Sequence, residues 1–251
     1  MDEFLNSITH EVSTKTLQDH KRNIQKLEGI NLHSSEKTIV SKIRLFTTND
    51  QLQLIKTIMK YRRFYELPVE TISQYFSKIK KEDTTRLQRE KDDIVLPTRE
   101  EIFKEINGLY LKEDYKSYII NYLLYHYSVR NLDLQLEIIN NGDEIQPDKN
   151  YLIIMKTRIK YLRQNYKTHT TYGDKIITIT NKDFYKAVIE YNDKYLLKTK
   201  NLTNELKKYI VLGLNETTFA RAMLKDVDVK EADKIGKHRG TSLNVIEQHY
   251  T

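Results

Sequence analysis

Four residues in the second half of the chain carry side chains that together can do one kind of chemistry. Arg130 stands in Ser128-Val129-Arg130-Asn131-Leu132-Asp133-Leu134, directly after an apolar stretch. Lys167 stands in Asn165-Tyr166-Lys167-Thr168, ahead of a Tyr172-Gly173 turn, and Arg221 follows Thr217-Thr218-Phe219-Ala220. Tyr250 closes Val245-Ile246-Glu247-Gln248-His249-Tyr250. Two guanidiniums, an ammonium and a phenol suit the transfer of a DNA phosphodiester to a tyrosine oxygen. The pentacoordinate transition state gathers negative charge on the non-bridging oxygens, which two guanidinium forks can hold bidentately at any working pH. Such preorganised charge is worth roughly 3–4 kcal/mol per donor. A lysine can protonate the departing 5′-oxygen. A phenol of ordinary pKa ~10 becomes a nucleophile when held in line beside cations.

Each residue also has a plainer reading. Arg130 can pair with Asp133 one turn on, and Lys167 shares a basic region with Lys156, Lys160 and Lys175. Arg221 lies next to a buried stripe, where an arginine can simply cap a carboxylate. Tyr250 is one of 18 tyrosines, most of which serve packing.

The elements that must position these groups are mostly helices. A helix is expected from about Thr16 to Leu27. In Asp50–Tyr65, Leu54, Ile55, Ile58, Met59 and Tyr65 recur at helical spacing, with Lys56, Lys60, Arg62 and Arg63 mostly on other faces. Pro68 is expected to open a further helix at its first position, followed by Ile72, Tyr75, Phe76 and Ile79. Around Lys80–Asp93 the apolar pattern stops, which reads as an exposed linker or a solvated helix extension and sets the expected domain boundary, 1–92 against 93–251.

Thr98 with Glu101 forms a capping box for a helix whose buried stripe is Ile102, Ile106 and Leu109, and Ile119, Ile120, Leu123, Leu124 and Tyr127 mark the next. Tyr151–Met155 and Lys175–Thr180 are β-branched or aromatic runs, read as a small antiparallel sheet. Helices return to the C-terminus, with caps at Thr203 and Asn215 and a last helix starting near Thr241 or Ser242. The expected class is mainly α with a small antiparallel β-sheet.

Composition narrows the chemistry. Lys and Arg number 42 against 35 Asp and Glu, and the net charge of +7 favours a polyanionic partner. The chain has no Cys, which excludes disulfides, thiolate metal sites and Cys nucleophiles. Its 7 His show no paired ligand spacing, so neither metal nor other cofactor is expected. No run approaches the ~18 apolar residues of a membrane span, and Met1-Asp2-Glu3-Phe4 does not open a signal peptide. The expectation is a soluble intracellular protein that makes no membrane contact.

The ordered set of motifs resembles the tyrosine recombinases, the phage-type integrase family that shares its catalytic core with type IB topoisomerases. Arg130 to Leu134 matches the family's R-x-x-[DE]-L, Lys167-Thr168 its hairpin lysine, Arg221 its second arginine and Tyr250 its C-terminal nucleophile. Leu96–Glu101 resembles the opening of the catalytic domain. The helical N-terminal part, with Tyr61-Arg62-Arg63-Phe64-Tyr65, resembles the core-binding domain that closes a clamp on duplex DNA. The basic residues Arg62, Arg63, Lys78, Lys80 and Lys81, interleaved with aromatics, are candidates for DNA contact or for a solvated face.

The resemblance implies a site-specific recombinase or integrase working through a 3′-phosphotyrosyl intermediate without a metal, as a homo-tetramer on paired double-stranded sites. Three departures stand out: the interval of 37 residues from Arg130 to Lys167 is longer than the family's usual one, Thr218 replaces the first His of H-x-x-R, and Thr241 replaces the later His. His238 is the candidate to fill the latter place, although beside Lys237 and Arg239 it also reads as a surface basic residue. Two rival readings follow: a catalytically degenerate DNA-binding relative with a structural or regulatory role, and a type IB topoisomerase. The abundance of Lys, Ile, Asn and Tyr suggests the AT-rich genome of a virus or mobile element.

Overall fold

The structure, a computed structural model, describes residues 2–199 and 201–249, with backbone alone at 91, 92 and 247–249. The chain forms two compact units, Met1–Val95 and Leu96–Thr251. The first holds α1 (Asp2–Ser7), α2 (Thr14–Lys26), α3 (Glu36–Ile43), α4 (Thr48–Phe64) and α5 (Glu70–Asp92). Ser13, Ser35 and Thr47 cap α2, α3 and α4 by accepting a backbone N–H of the first turn. Phe4, Ile39, Ile43, Leu54, Ile55, Ile58 and Ile72 close the core of this unit.

Two expectations need correction here. Pro68 precedes α5 rather than opening it. The Val69 carbonyl accepts from Ser73 N–H in the first turn, and the Pro68 carbonyl is taken by Arg62 Nε at 2.6 Å. Arg62 is neither a solvated charge nor a DNA contact. It is only 2 % exposed and also donates to the carbonyls of Leu32 and Ser34, so it staples the loops around α4. Past Ile79 the charged stretch continues as helix, with Arg86 bridging Asp83 and Glu90.

The second unit begins with α6 (Arg99–Leu111) and α7 (Tyr115–Tyr127). The Thr98–Glu101 capping box starts α6 as expected. All residues from Ser117 to Leu124 are buried, because α7 runs through the core; its one buried side-chain amide, Asn121, is satisfied by the Ser117 and Tyr209 carbonyls at 2.7 Å. A 3₁₀ turn at Asn131–Leu134 leads into a sheet of β1 (Leu136–Asn140), β2 (Asn150–Ile154), β3 (Ile159–Arg163) and β4 (Lys175–Ile179), with α8 (His169–Tyr172) between the last two. The strand order is β1-β2-β3-β4.

The expected strands are present as β2 and β4, but β3 lies between them and pairs antiparallel with both. The segment 141–149 carries the chain back along the sheet, so β1 joins β2 in parallel and the sheet is mixed. Leu152, Ile159, Tyr161 and Ile179 join the main core with α7, while Ile139, Tyr151, Ile153 and Leu162 form a second small cluster.

Helices α9 (Lys182–Tyr191), α10 (Leu202–Leu206), α11 (Glu216–Leu224), α12 (Val229–Arg239) and α13 (Leu243–His249) complete the unit. Asn215 caps α11 as expected, whereas α10 is capped by Asn201 rather than Thr203. The Ser242 carbonyl accepts from Val245 and Ile246 N–H, starting α13 where the sequence suggests. Among the described residues no helix is long and apolar enough to cross a membrane.

Candidate active site

The site grows from the exit of α7. Ser128 ends that helix in the left-handed region (φ 47°), which turns the chain sharply, and Arg130 then runs extended into the 3₁₀ turn. Two carboxylates hold its backbone. Asp133 accepts from Arg130 N–H at 2.8 Å, and Glu216 at the start of α11 accepts from Asn131 N–H at 2.9 Å. Asp133 is therefore engaged with the Arg130 backbone, and the guanidinium reaches elsewhere. Its Nη2 donates to Thr241 Oγ1 at 2.5 Å, on the segment that leads to the C-terminal helix.

Two arginines absent from the expected set underlie this arrangement. Arg163, at the end of β3, is fully buried and donates to Asp133 Oδ2 at 2.5 Å and to the His238 carbonyl at 2.6 Å. Its guanidinium carbon lies 4.9 Å from the centroid of the Tyr166 ring. Burial pushes the Asp133 carboxyl up, while Arg163 and the Arg130 N–H pull it back. Arg239, at the end of α12, donates to the Ser128 carbonyl at 3.0 Å and pairs with Glu216. A signal for Arg163 was present: Ile159, Tyr161 and Arg163 share one phase of a strand, so a charge stands in line with two core residues.

Of the lysines in this region, the one the structure brings to these arginines is Lys175. Lys167 is exposed in the connection from β3 to β4. Lys175 opens β4, half-buried, with its ammonium 5.4 and 5.2 Å from the Tyr166 and Tyr172 ring centroids and donating to the Lys237 carbonyl. Burial first, then the positive charges of Arg163 and Arg130, bring its pKa down to about 8.

The C-terminal end of α12 is held from the sheet side. Carbonyls at a helix end lack the full set of i+4 partners, and here the Lys237 carbonyl accepts from Gly240 N–H at 3.3 Å. The carbonyls of Lys237, His238 and Gly240 also accept from Lys175, Arg163 and Thr168 Oγ1 respectively, the last at 2.8 Å. Gly240 turns the chain at φ 70°, and a Cβ there would stand 2.6 Å from Thr168 Oγ1. Thr241 follows beside Arg130, and Ile246 seats α13 against Leu224 and Ala232.

The remaining expected residues fall in different places. Arg221 is buried on α11, the helix whose first residue holds the Arg130 segment. Thr218, in the position of the family's histidine, belongs to the α11 cap, its Oγ1 accepting from Asn215 N–H at 2.9 Å. His238 contributes its carbonyl to Arg163. Its ring lies edge-on to Tyr127 at 5.6 Å, and burial, Lys234, Lys175 and Arg163 lower its pKa. Tyr250 lies outside the described residues.

The result is a cluster of Arg130, Arg163 and Lys175 beside the strand of chain that enters α13. Such a cluster can bind an oxyanion through Arg130 and supply a proton from Lys175.

No family model matches the chain, and no curated protein matches it. Among solved structures it is similar to one titled "Crystal structure of XerA recombinase", at 14% identity and a TM-score of 0.35, over 99% of this chain and 92% of that one.

Proposed function

We propose that this chain cuts and rejoins DNA strands through a 3′-phosphotyrosyl intermediate, as a tyrosine recombinase does. The observation that supports this most is the cation cluster at the root of the C-terminal helix. Arg130 is joined to Thr241, and Lys175 is made more acidic by its burial and by Arg163 and Arg130. In this reading Tyr250 attacks the phosphorus, and Arg130 and Arg221 neutralise the non-bridging oxygens as charge builds. Lys175, rather than Lys167, gives its proton to the departing 5′-oxygen. The chain's own cations supply the stabilisation that a metal gives elsewhere, and the second partner strand re-enters by the reverse of the same step. The unit Met1–Val95 serves as the other arm of a DNA clamp, and exchange between two sites takes a tetramer.

A second reading is a DNA-binding protein that has lost strand cleavage. It is favoured by one observation: Thr218, at the first position of the H-x-x-R pattern, is engaged in a helix cap, and the His238 ring packs edge-on against Tyr127. A nicked duplex that traps the covalent intermediate separates the two. An adduct with the wild type and none with Tyr250→Phe supports cleavage; equal binding with no adduct supports the second reading. Relaxation of supercoils without exchange between sites points to a topoisomerase.

A further inference from the structure

Arg239 lies where the pieces required by the proposed reaction meet. It is 1 % exposed, so it cannot touch DNA. Its Nη1 donates to the Ser128 carbonyl at 3.0 Å and to the Val129 carbonyl at 3.4 Å, capping the C-terminal end of α7 where the chain turns toward Arg130. Its Nη2 pairs with Glu216, whose other oxygen holds Asn131 N–H at 2.9 Å. Arg239 itself closes α12, and the next residues are Gly240 and Thr241, the partner of Arg130. One planar fork therefore fixes three things at once: the backbone on both sides of Arg130, the start of the helix that carries Arg221, and the start of the segment leading to Tyr250.

We infer that Arg239, acting with Glu216, is a positioning residue that sets the aim of Arg130 and Arg221 on the scissile phosphate; the inference rests on the function proposed above. The chemistry requires a guanidinium. A lysine presents a single point charge and cannot cap two carbonyls and a carboxylate in one plane. Stability alone does not account for the pair, since buried ion pairs give little net stability over apolar packing of the same volume. A misplacement of about 1 Å at a reacting centre costs about 100-fold in rate, so a fork that holds Arg130 from both sides matters most in the transition state.

The test uses the full chain carrying Arg239→Lys or Glu216→Gln, with the wild type, on two nicked duplexes. One has an ordinary scissile phosphodiester. The other has a methylphosphonate there, which carries no charged oxygen for the arginines to hold. On the ordinary duplex both variants are expected to bind as the wild type does and to form adduct about 100-fold more slowly. On the methylphosphonate the three proteins are expected to converge, because the aim of the arginines no longer matters. Variants as fast as the wild type on the phosphodiester, or slowed equally on both duplexes, overturn the inference; equal slowing means a merely structural role. If Arg239→Lys fails to fold, Glu216→Gln decides, since its carboxamide can still accept from Asn131 N–H. A wild type that forms no adduct on either duplex removes the proposed function, and this inference with it.

Discussion

The two candidate lysines give opposite expectations, and Lys175→Met against Lys167→Met separates them. A general acid contributes ~10²–10⁴-fold, so Lys175→Met should slow single-turnover cleavage of a nicked duplex by that factor and Lys167→Met should leave it nearly unchanged. The structure also fixes a pH signature. With its pKa brought to about 8, Lys175 is protonated below that pH and loses its proton above it. Only the protonated amine can donate, so its contribution falls as pH rises. About nine-tenths of the amine is protonated at pH 7 and about one-tenth at pH 9, so the wild-type to Lys175→Met rate ratio should drop about tenfold between them. Taking the ratio cancels the titration of Tyr250 and of the DNA.

A duplex with sulfur in place of the bridging 5′-oxygen supplies the control, because a thiolate leaves without a proton and Lys175→Met should then cleave it like the wild type. The assignment is refuted if Lys175→Met cleaves the ordinary duplex at the wild-type rate, or is equally slow on both duplexes.

Further expectations concern the groups around the site and in the first unit. Arg163→Met should destabilise the second unit by about 3–5 kcal/mol, read from amide exchange in α7 and β3, since it leaves the Asp133 carboxylate buried without its cation; adding Asp133→Asn should recover part of the loss. Gly240→Ala should cost about 1–2 kcal/mol for its positive φ alone, measured in the same way, and more if Thr168 cannot move away. In the first unit, Arg62→Met should lower stability without changing the salt dependence of DNA binding. Exposed Arg63→Gln should do the reverse, reducing the slope of log affinity against log salt by about one.

The parts of the fold set by local rules were legible in the sequence. The Thr98–Glu101 box, the Asn215 cap and the run of Ile119, Ile120, Leu123 and Leu124 on α7 depend on neighbours within a turn or two, and the structure has them as expected. β1 was harder, since Leu136–Asn140 follows directly on the Arg130 motif and its parallel partner lies beyond the 141–149 loop. Arg62 was misread although its phase with Ile55 and Ile58 on α4 puts it on the buried stripe. Its partners, the carbonyls of Leu32, Ser34 and Pro68, belong to loops that no periodicity marks.

At the site, residue types pointed to phosphate chemistry, but choosing among lysines depended on long-range facts. Lys167 and Lys175 both lie in a basic stretch, and what distinguishes them is burial against Tyr166 and the field of Arg163 and Arg130. Thr241 was visible as a departure from the family's histidine. That it would accept a hydrogen bond from Arg130, far away in the chain, was not.

The central claim is that Arg130, Arg221, Lys175 and Tyr250 converge on one phosphorus atom. It is tested most directly by the structure of the chain on a duplex broken at the scissile site and bridged by vanadate, which mimics the pentacoordinate phosphorus. The account predicts vanadium bonded to Tyr250 Oη, with both guanidiniums hydrogen-bonded to its equatorial oxygens and the Lys175 ammonium at the 5′-oxygen. Vanadium held without Tyr250, or with Arg221 turned away from it, contradicts the account.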